Sequence, residues 1–399
     1  KALEQEGKTV NQIRKAFRMK EVSDHRSEIV PSQEEFRIEV HRSIEQVDKD
    51  TWKSCFPEAG NYTWEALYHL EEAMSGNVLE EDNWDFYYVF VYDGDTLVLA
   101  SFLTSGIMKD DLTAPAGVSM QLEDIRQSDK YYLCSKTLMM GSLITEGSHL
   151  FLERKSKNWK EALMKFVQVI YEIQEAKEIN NVILRDFDTD DKDVEELFND
   201  LGFFKMDMPN SNVIHNLNRD PHKEYLGLLS SKARRNIRSE VIKHFGEFSF
   251  EVKNELSPKE LDLFIDLYRN VARKNYSINI FPYPNSLFHS FQKCSNWEYL
   301  ILRARSGKIL SIIASYKDGK VYCPAVIGIN YDHETNSSVY KQIMYRTVLY
   351  ARNKGYRKVR FGFSADSEKK KLGATQERKV AFMSVVDQFN LVALEKIKA

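Results

Sequence analysis

The side chains of this sequence that could move a proton are a handful of carboxylates, histidines and tyrosines set near apolar runs. Glu146 follows Leu143-Ile144 and sits beside Gly147, with His149, Asp186 and Asp188 as companions in the first half. The second half offers Tyr322, Asp332, His333 and Asp366. A carboxylate, imidazole or phenol near an amine can take its proton as a bond forms. Two basic clusters add groups suited to phosphate or carboxylate. The segment His222 to His244 holds Lys223, Lys232, Arg234, Arg235, Arg238 and Lys243 against only Glu224 and Glu240. The planar guanidinium forks of Arg234, Arg235 and Arg238 make them candidate substrate-binding residues. A solvated linker helix is the plainer account of the same segment, while Leu228, Leu229, Ile237, Val241 and Ile242 supply a docking face that would fix the helix on the body and favours the binding reading. The second cluster runs through Arg352, Lys354, Arg357, Lys358, Arg360, Lys369, Lys370 and Lys371, with Asp366 and Glu368 interspersed.

Other chemistries are excluded or unsupported. Cys55, Cys134, Cys294 and Cys323 lie far apart, without zinc-ligand spacing, and read as free thiols of a cytoplasmic protein; no metal is implied. There is no P-loop, dinucleotide fingerprint or H-E-x-x-H, and Gly362-Phe363-Ser364-Ala365-Asp366 lacks the second glycine of a nucleophile elbow. The 56 Lys plus Arg against 59 Asp plus Glu, a net of −3, argue against a globally basic nucleic-acid binder. With 12% aromatic residues, overall disorder is excluded. No apolar run reaches the ~20 residues of a membrane span. The chain begins at Lys1, which reads as a processed product or part of a longer polypeptide.

The elements that must position these groups form two similar sets. Residues 1–35 read as a charged lead-in. From Phe36, the order is strand, helices, a hairpin across Asp93-Gly94-Asp95, a long amphipathic helix from Asn158 to Lys177, a strand Asn181 to Phe187 and a short acidic helix. Phe203 to Asn218 reads as a further strand pair or one bent strand. The second half repeats the order: a strand from Phe248, a helix opening at Ser257-Pro258, a hairpin across Ser306-Gly307 and a third strand Lys320 to Asn330. Then follow a helix Ser338 to Asn353, a strand Lys358 to Phe363, a short helix and a last strand Thr375 to Val386. The fold class is α/β, a mixed-sheet unit used twice: residues 36–218 and 248–399, joined by a basic connecting helix at 219–247.

That order resembles the GNAT acyltransferase superfamily, and its duplication resembles the FemAB-like tandem-GNAT proteins. Two passages carry the likeness: Leu228-Leu229-Ser230-Ser231-Lys232-Ala233-Arg234-Arg235-Asn236-Ile237-Arg238, and Ser338 through Gly362 followed by Glu368-Lys369-Lys370-Lys371-Leu372-Gly373-Ala374. The resemblance implies that acyl-CoA lies between the fourth and fifth strands of a unit, with pyrophosphate at the next helix start. Members usually supply a glycine-rich turn there. Here the second half has Asn336-Ser337-Ser338-Val339-Tyr340-Lys341, and the first has Ser156-Lys157-Asn158-Trp159, both without glycine.

Carried onto this chain, the donor-binding candidates are Ser337, Ser338, Val339, Tyr340 and Lys341, with Lys370 for the 3′-phosphate. Glu146 is the candidate base, and Tyr322 the acid that protonates a leaving thiolate. The expected activity is acyl transfer from an acyl-CoA thioester to a small-molecule or peptide amine, by direct attack. Two alternatives remain: a FemAB-like aminoacyl transferase using aminoacyl-tRNA, or a non-catalytic recognition module of a longer polypeptide, whose strand gap would be closed or mismatched in charge.

Overall fold

The computed structural model describes residues 36–332, 336–386 and 390; the lead-in and His333 lie outside them. Two mixed sheets form the framework. The first is built from β1 (Phe36–His41), β2 (Asp85–Asp93), β3 (Thr96–Lys109), β4 (Cys134–Met140), β5 (Leu150–Leu152), β6 (Asn181–Asp188) and β7 (Phe204–Asp207). The second holds β8 (Ser211–Ile214), β9 (Phe248–Lys253), β10 (Trp297–Ala304), β11 (Ile309–Asp318), β12 (Val321–Ile329), β13 (Lys358–Arg360) and β14 (Thr375–Glu377). The last strand, β15 (Lys379–Val385), returns to the first sheet.

The helices are α1 (Lys49–Cys55), α2 (Trp64–Ala73), α3 (Ala116–Arg126), α4 (Trp159–Ala176), α5 (Lys192–Asp200), α6 (Ser231–Glu240), α7 (Pro258–Ala272), α8 (Asn285–Lys293), α9 (Asn336–Asn353) and α10 (Asp366–Lys371), with short turns between. Among the described residues no helix is long and apolar enough to cross a membrane.

Local sequence explains most of these elements. In α4, Leu163, Phe166, Val167 and Ile170 recur at three- and four-residue spacing and are all buried against the first sheet. Each buried side chain of this size contributes about 1.5–3 kcal/mol relative to exposure, which holds the helix in place. The α7 start is the expected one: Ser257 accepts from the Glu260 backbone while the Glu260 side chain reaches back, with Pro258 in the first turn. The two hairpins fall where the Asp-Gly and Ser-Gly turns put them.

The linear division of the chain is not the division of the sheets. The strand order is β1-β2-β3-β4-β6-β15-β7 in the first sheet and β14-β8-β13-β12-β11-β10-β9 in the second. The stretch read as one strand pair at 203–218 is split: β7 pairs β15, while β8 crosses over to pair β13 and β14. The stretch read as one strand at 375–386 is split likewise, β14 staying in the second sheet and β15 inserting between β6 and β7. Each half therefore lends the other a strand. A shared apolar core, with Trp52, Leu67 and Phe86 on one side and Phe264, Phe288 and Trp297 on the other, joins the halves beneath this exchange.

Candidate active site

Among the described residues, each sheet has one place where two parallel neighbours part. In the first, β4 and β6 pair from Thr137↔Asn181 to Met139↔Ile183 and then diverge. In the second, β12 and β13 pair only at Val321↔Lys358 and Tyr322↔Val359. The two gaps differ in content.

The first gap is filled by its own side chain. Arg185, on β6 and 4% exposed, donates from Nε to the Met140 carbonyl (3.2 Å) and from Nη2 to the Thr145 carbonyl (2.7 Å). Its Nη1 lies 2.9 Å from Asp186. Burial alone would raise the Asp186 carboxyl, but Arg185 and His149 overcome that and hold it below its ordinary range. His149, 3.0 Å from Asp186, is pushed down to about 4 by burial, against the pull of that carboxylate, so it is neutral at pH 7.

The second gap is open. It is a cavity of about 410 Å3 with Cys323 to Ile327 on one wall and Arg360 to Ala365 on the other. Ile278, Ile280, Tyr340 and Met344 are among its further apolar lining, and Asn61 and Leu143 to Glu146 come across from the first half. A register shift between Ala314 and Ser315 leaves Ala325 bulged and exposed at the cavity, next to Pro324, which has no N–H to donate.

The loop that ends the far wall is strained and held. Gly362, Ser364 and Ala365 all have left-handed backbones, at φ 74°, 65° and 50°. For the two non-glycines this costs of order 1–3 kcal/mol each. The Lys369 ammonium offsets it by donating to three successive carbonyls, those of Phe361 (3.0 Å), Gly362 (3.1 Å) and Phe363 (2.6 Å). The exchanged strand β8 adds Asn212, whose Nδ2 donates to the Gly362 carbonyl (3.1 Å) and to Asp366 (2.9 Å). Burial lowers Lys369 to about 8, against the opposing charges of Glu146 and Asp366.

Glu146 stands between this cleft and a smaller cavity of about 140 Å3, which it lines together with Asp186, Ser211, Lys358, Arg360 and Glu377. Its carboxylate accepts from the Ser211 hydroxyl of β8. Burial raises its pKa above the ordinary carboxylate range, with Arg360, Ser211 and Lys369 opposing. Arg360 fixes the surrounding loops by donating to the carbonyls of Glu146 (2.9 Å) and Ala59 (3.2 Å). A side chain at Gly362 would sit 3.3 Å from the Glu146 Oε2. The glycine thus leaves room for the carboxylate.

The other residues singled out from sequence fall in several places. Tyr322 is fully buried and does not line the cleft: its hydroxyl donates to Glu298 (2.7 Å) and burial raises its pKa well above the tyrosine range. Alternation along β12 turns Tyr322 to the α9 side and Cys323 to the cleft, which removes Tyr322 as the acid of this site. Lys370 is exposed on the outer face of α10, and its neighbour Lys369 is the inward lysine. Tyr340 lines the cleft, Val339 is buried in the core, and Lys341 is held 2.8 Å from Glu240. Ser337 and Ser338 lie in the opening turn of α9, and their side chains are outside those described. Arg234 is turned back onto the Leu229 carbonyl (2.6 Å), whereas Arg235 and Arg238 are exposed.

Sequence reasoning named Glu146 but missed the roles of Lys369, Ser211 and Asn212. Leu372, three residues after Lys369, marks the inner face of α10 and was the available signal for the lysine. Nothing local could have announced that β8 crosses to the other sheet.

Comparison with known proteins agrees with this architecture. Residues 231–370 match the family described as acetyltransferase (GNAT) domain. A search of curated proteins finds no sequence match. Among solved structures, the chain resembles FemX at a TM-score of 0.54 and 12% identity, covering 90% of this chain and 100% of that one. A tandem GNAT protein from the clavulanic acid biosynthesis pathway gives 0.53 and 10%, covering 88% and 99%. The C-terminal domain of a putative lysylphosphatidylglycerol synthetase from Agrobacterium fabrum gives 0.50 and 11%, covering 89% and 97%. At these identities the likeness is one of fold, a GNAT-type mixed α/β architecture in two copies.

Proposed function

We propose that this protein is an N-acyltransferase whose donor lies in the second gap and whose amine acceptor reaches Glu146 from the smaller cavity. The observation that carries the reading is the position of Glu146: buried, raised in pKa, and shared by the two cavities. A bound acyl-CoA would supply the electrophilic carbonyl. The edge of β12 from Cys323 to Ile327, past its last pair with β13, offers backbone groups to an extended donor arm. Glu146 takes the proton of the attacking amine, a task that favours a carboxylate lifted toward neutral pH. Lys369 holds the 361–365 loop in shape and keeps a positive charge beside Glu146. Burial pushes the Cys323 thiol up to about 12, so it is a poor nucleophile, which favours direct attack over a thioester relay. The four free cysteines suit a reducing cytoplasm.

The test is release of CoA thiol from a panel of acyl-CoA thioesters in the presence of small-molecule and peptide amines. Failure to bind any acyl-CoA by calorimetry, together with no thiol release, sinks the reading.

One observation favours an aminoacyl-tRNA donor as a second reading. The exposed Arg235 and Arg238 lie on α6, which packs against α10 and its exposed Lys370, beside the Tyr340 and Met344 wall of the cleft. Salt-sensitive tRNA binding, weakened by Arg235→Ala with Arg238→Ala, separates this donor from acyl-CoA. The open second gap argues against a non-catalytic module with a closed gap; one with a charge-mismatched gap, the other form expected, would fail to bind any acyl-CoA.

A further inference from the structure

A different cavity, of about 670 Å3, lies where the 77–82 loop and α3 of the first half meet the 281–286 segment of the second. That volume suits a drug-sized ligand. Its charges are almost all satisfied internally. Lys109 donates to Glu123 (2.8 Å) and to Asn279 (3.2 Å). Arg126 donates to Asp111 (2.7 Å) and Glu123 (2.7 Å), Lys130 is 2.7 Å from Glu81, and Arg269 donates to Asn285 (2.8 Å).

Asp82 is the exception. The residue is 8% exposed and lines the cavity, yet its carboxylate has no hydrogen bond or ion pair among the described residues. Its oxygens are not sealed from solvent, and Glu81 and Lys130 act on the group in opposite directions, so the carboxylate is open to a cation that enters the cavity. Asp82 lines a space large enough for a ligand. The wall beside it is apolar, made by Phe281, Pro282 and Pro284, and Val78, fully exposed, stands at the rim. An unpaired carboxylate with apolar walls recognises an ammonium group carried on an apolar body. We propose that this cavity is a binding site for a small organic amine, with its ammonium on Asp82 and its apolar part against Phe281 and the prolines.

The proposal does not rest on the transfer reaction. Tyr283 lines both this cavity and the donor cleft, so the two spaces are neighbours with otherwise different linings.

The probes are phenethylamine and 2-phenylethanol, nearly the same shape with and without the charge. By calorimetry at pH 7.5, the amine is expected to bind one equivalent and the alcohol at least about tenfold more weakly, as befits loss of a charge-assisted hydrogen bond. Asp82→Asn should bring the amine down to the level of the alcohol. Ala325→Trp, which fills the donor cleft, should leave amine binding unchanged. Equal binding of the two probes, binding unaltered by Asp82→Asn, loss of binding in Ala325→Trp, or no saturable binding of the amine would each overturn the proposal. The comparison of probes on the unaltered chain stands even if Asp82→Asn does not fold.

Discussion

Both sheets part their parallel strands, and both carry an arginine on the strand that departs, yet one gap is shut and the other open. Arg185 on β6 turns into its own gap and donates to the carbonyls that divergence leaves exposed. Arg360 on β13 reaches instead across to the loops of the other half. Parting two strands strands backbone groups, and a duplicated unit can satisfy them with its own side chain or leave them for a ligand. The structural difference between a closed copy and an open one is thus largely where a guanidinium goes. The exchange of β8 and β15 adds the second lesson: the open gap is completed by Ser211 and Asn212 from the first half.

The sharpest way to break the comparison is at Glu146. Glu146→Gln keeps the shape and the Ser211 contact but removes the base, and should lower kcat by roughly 10²–10⁴-fold with the melting temperature little changed. The pH profile of kcat should rise through an apparent pKa above the ordinary carboxylate value as Glu146 loses its proton. It should fall again near pH 8 if the charge on Lys369 is used. The acid limb should vanish in Glu146→Gln.

In the closed gap the largest effect should be on stability. Arg185→Met leaves Asp186 and two carbonyls buried without their partner, and should cost about 3–5 kcal/mol in denaturant unfolding with donor binding unaltered. Gly362→Ala places a methyl against Glu146 on a left-handed backbone. It should cost about 1–2 kcal/mol and lower kcat several-fold, seen by paired melting and rate measurements. Lys370→Ala, on the outer face of α10, should stay within about 0.5 kcal/mol in the same melting measurement.

The repeat, the hairpins, the α7 cap and the amphipathic α4 were legible because each is encoded locally, by period or by cap chemistry. Strand β4 was not, since Leu138-Met139-Met140 is an unbroken apolar run typical of a parallel strand buried on both faces, without alternation. The place of Glu146 in the lining of the cleft was signalled by its position after Leu143-Ile144, and its role as a base is what we propose. Its partner Ser211 was not signalled, because the four residues of β8 say nothing about which sheet they join. The choice between Lys369 and Lys370 turned on one step of helical phase, and the choice between Tyr322 and Cys323 on one step of strand alternation. Neighbouring candidates of the right chemistry are told apart only by such steps.

The central claim, one open donor gap per chain, is tested most directly by calorimetric titration of acetyl-CoA and a longer acyl-CoA into the wild-type protein and into Ala325→Trp. The account predicts one equivalent bound per chain, lost in Ala325→Trp and retained in Arg185→Met. Two equivalents, or binding that survives Ala325→Trp, would contradict it.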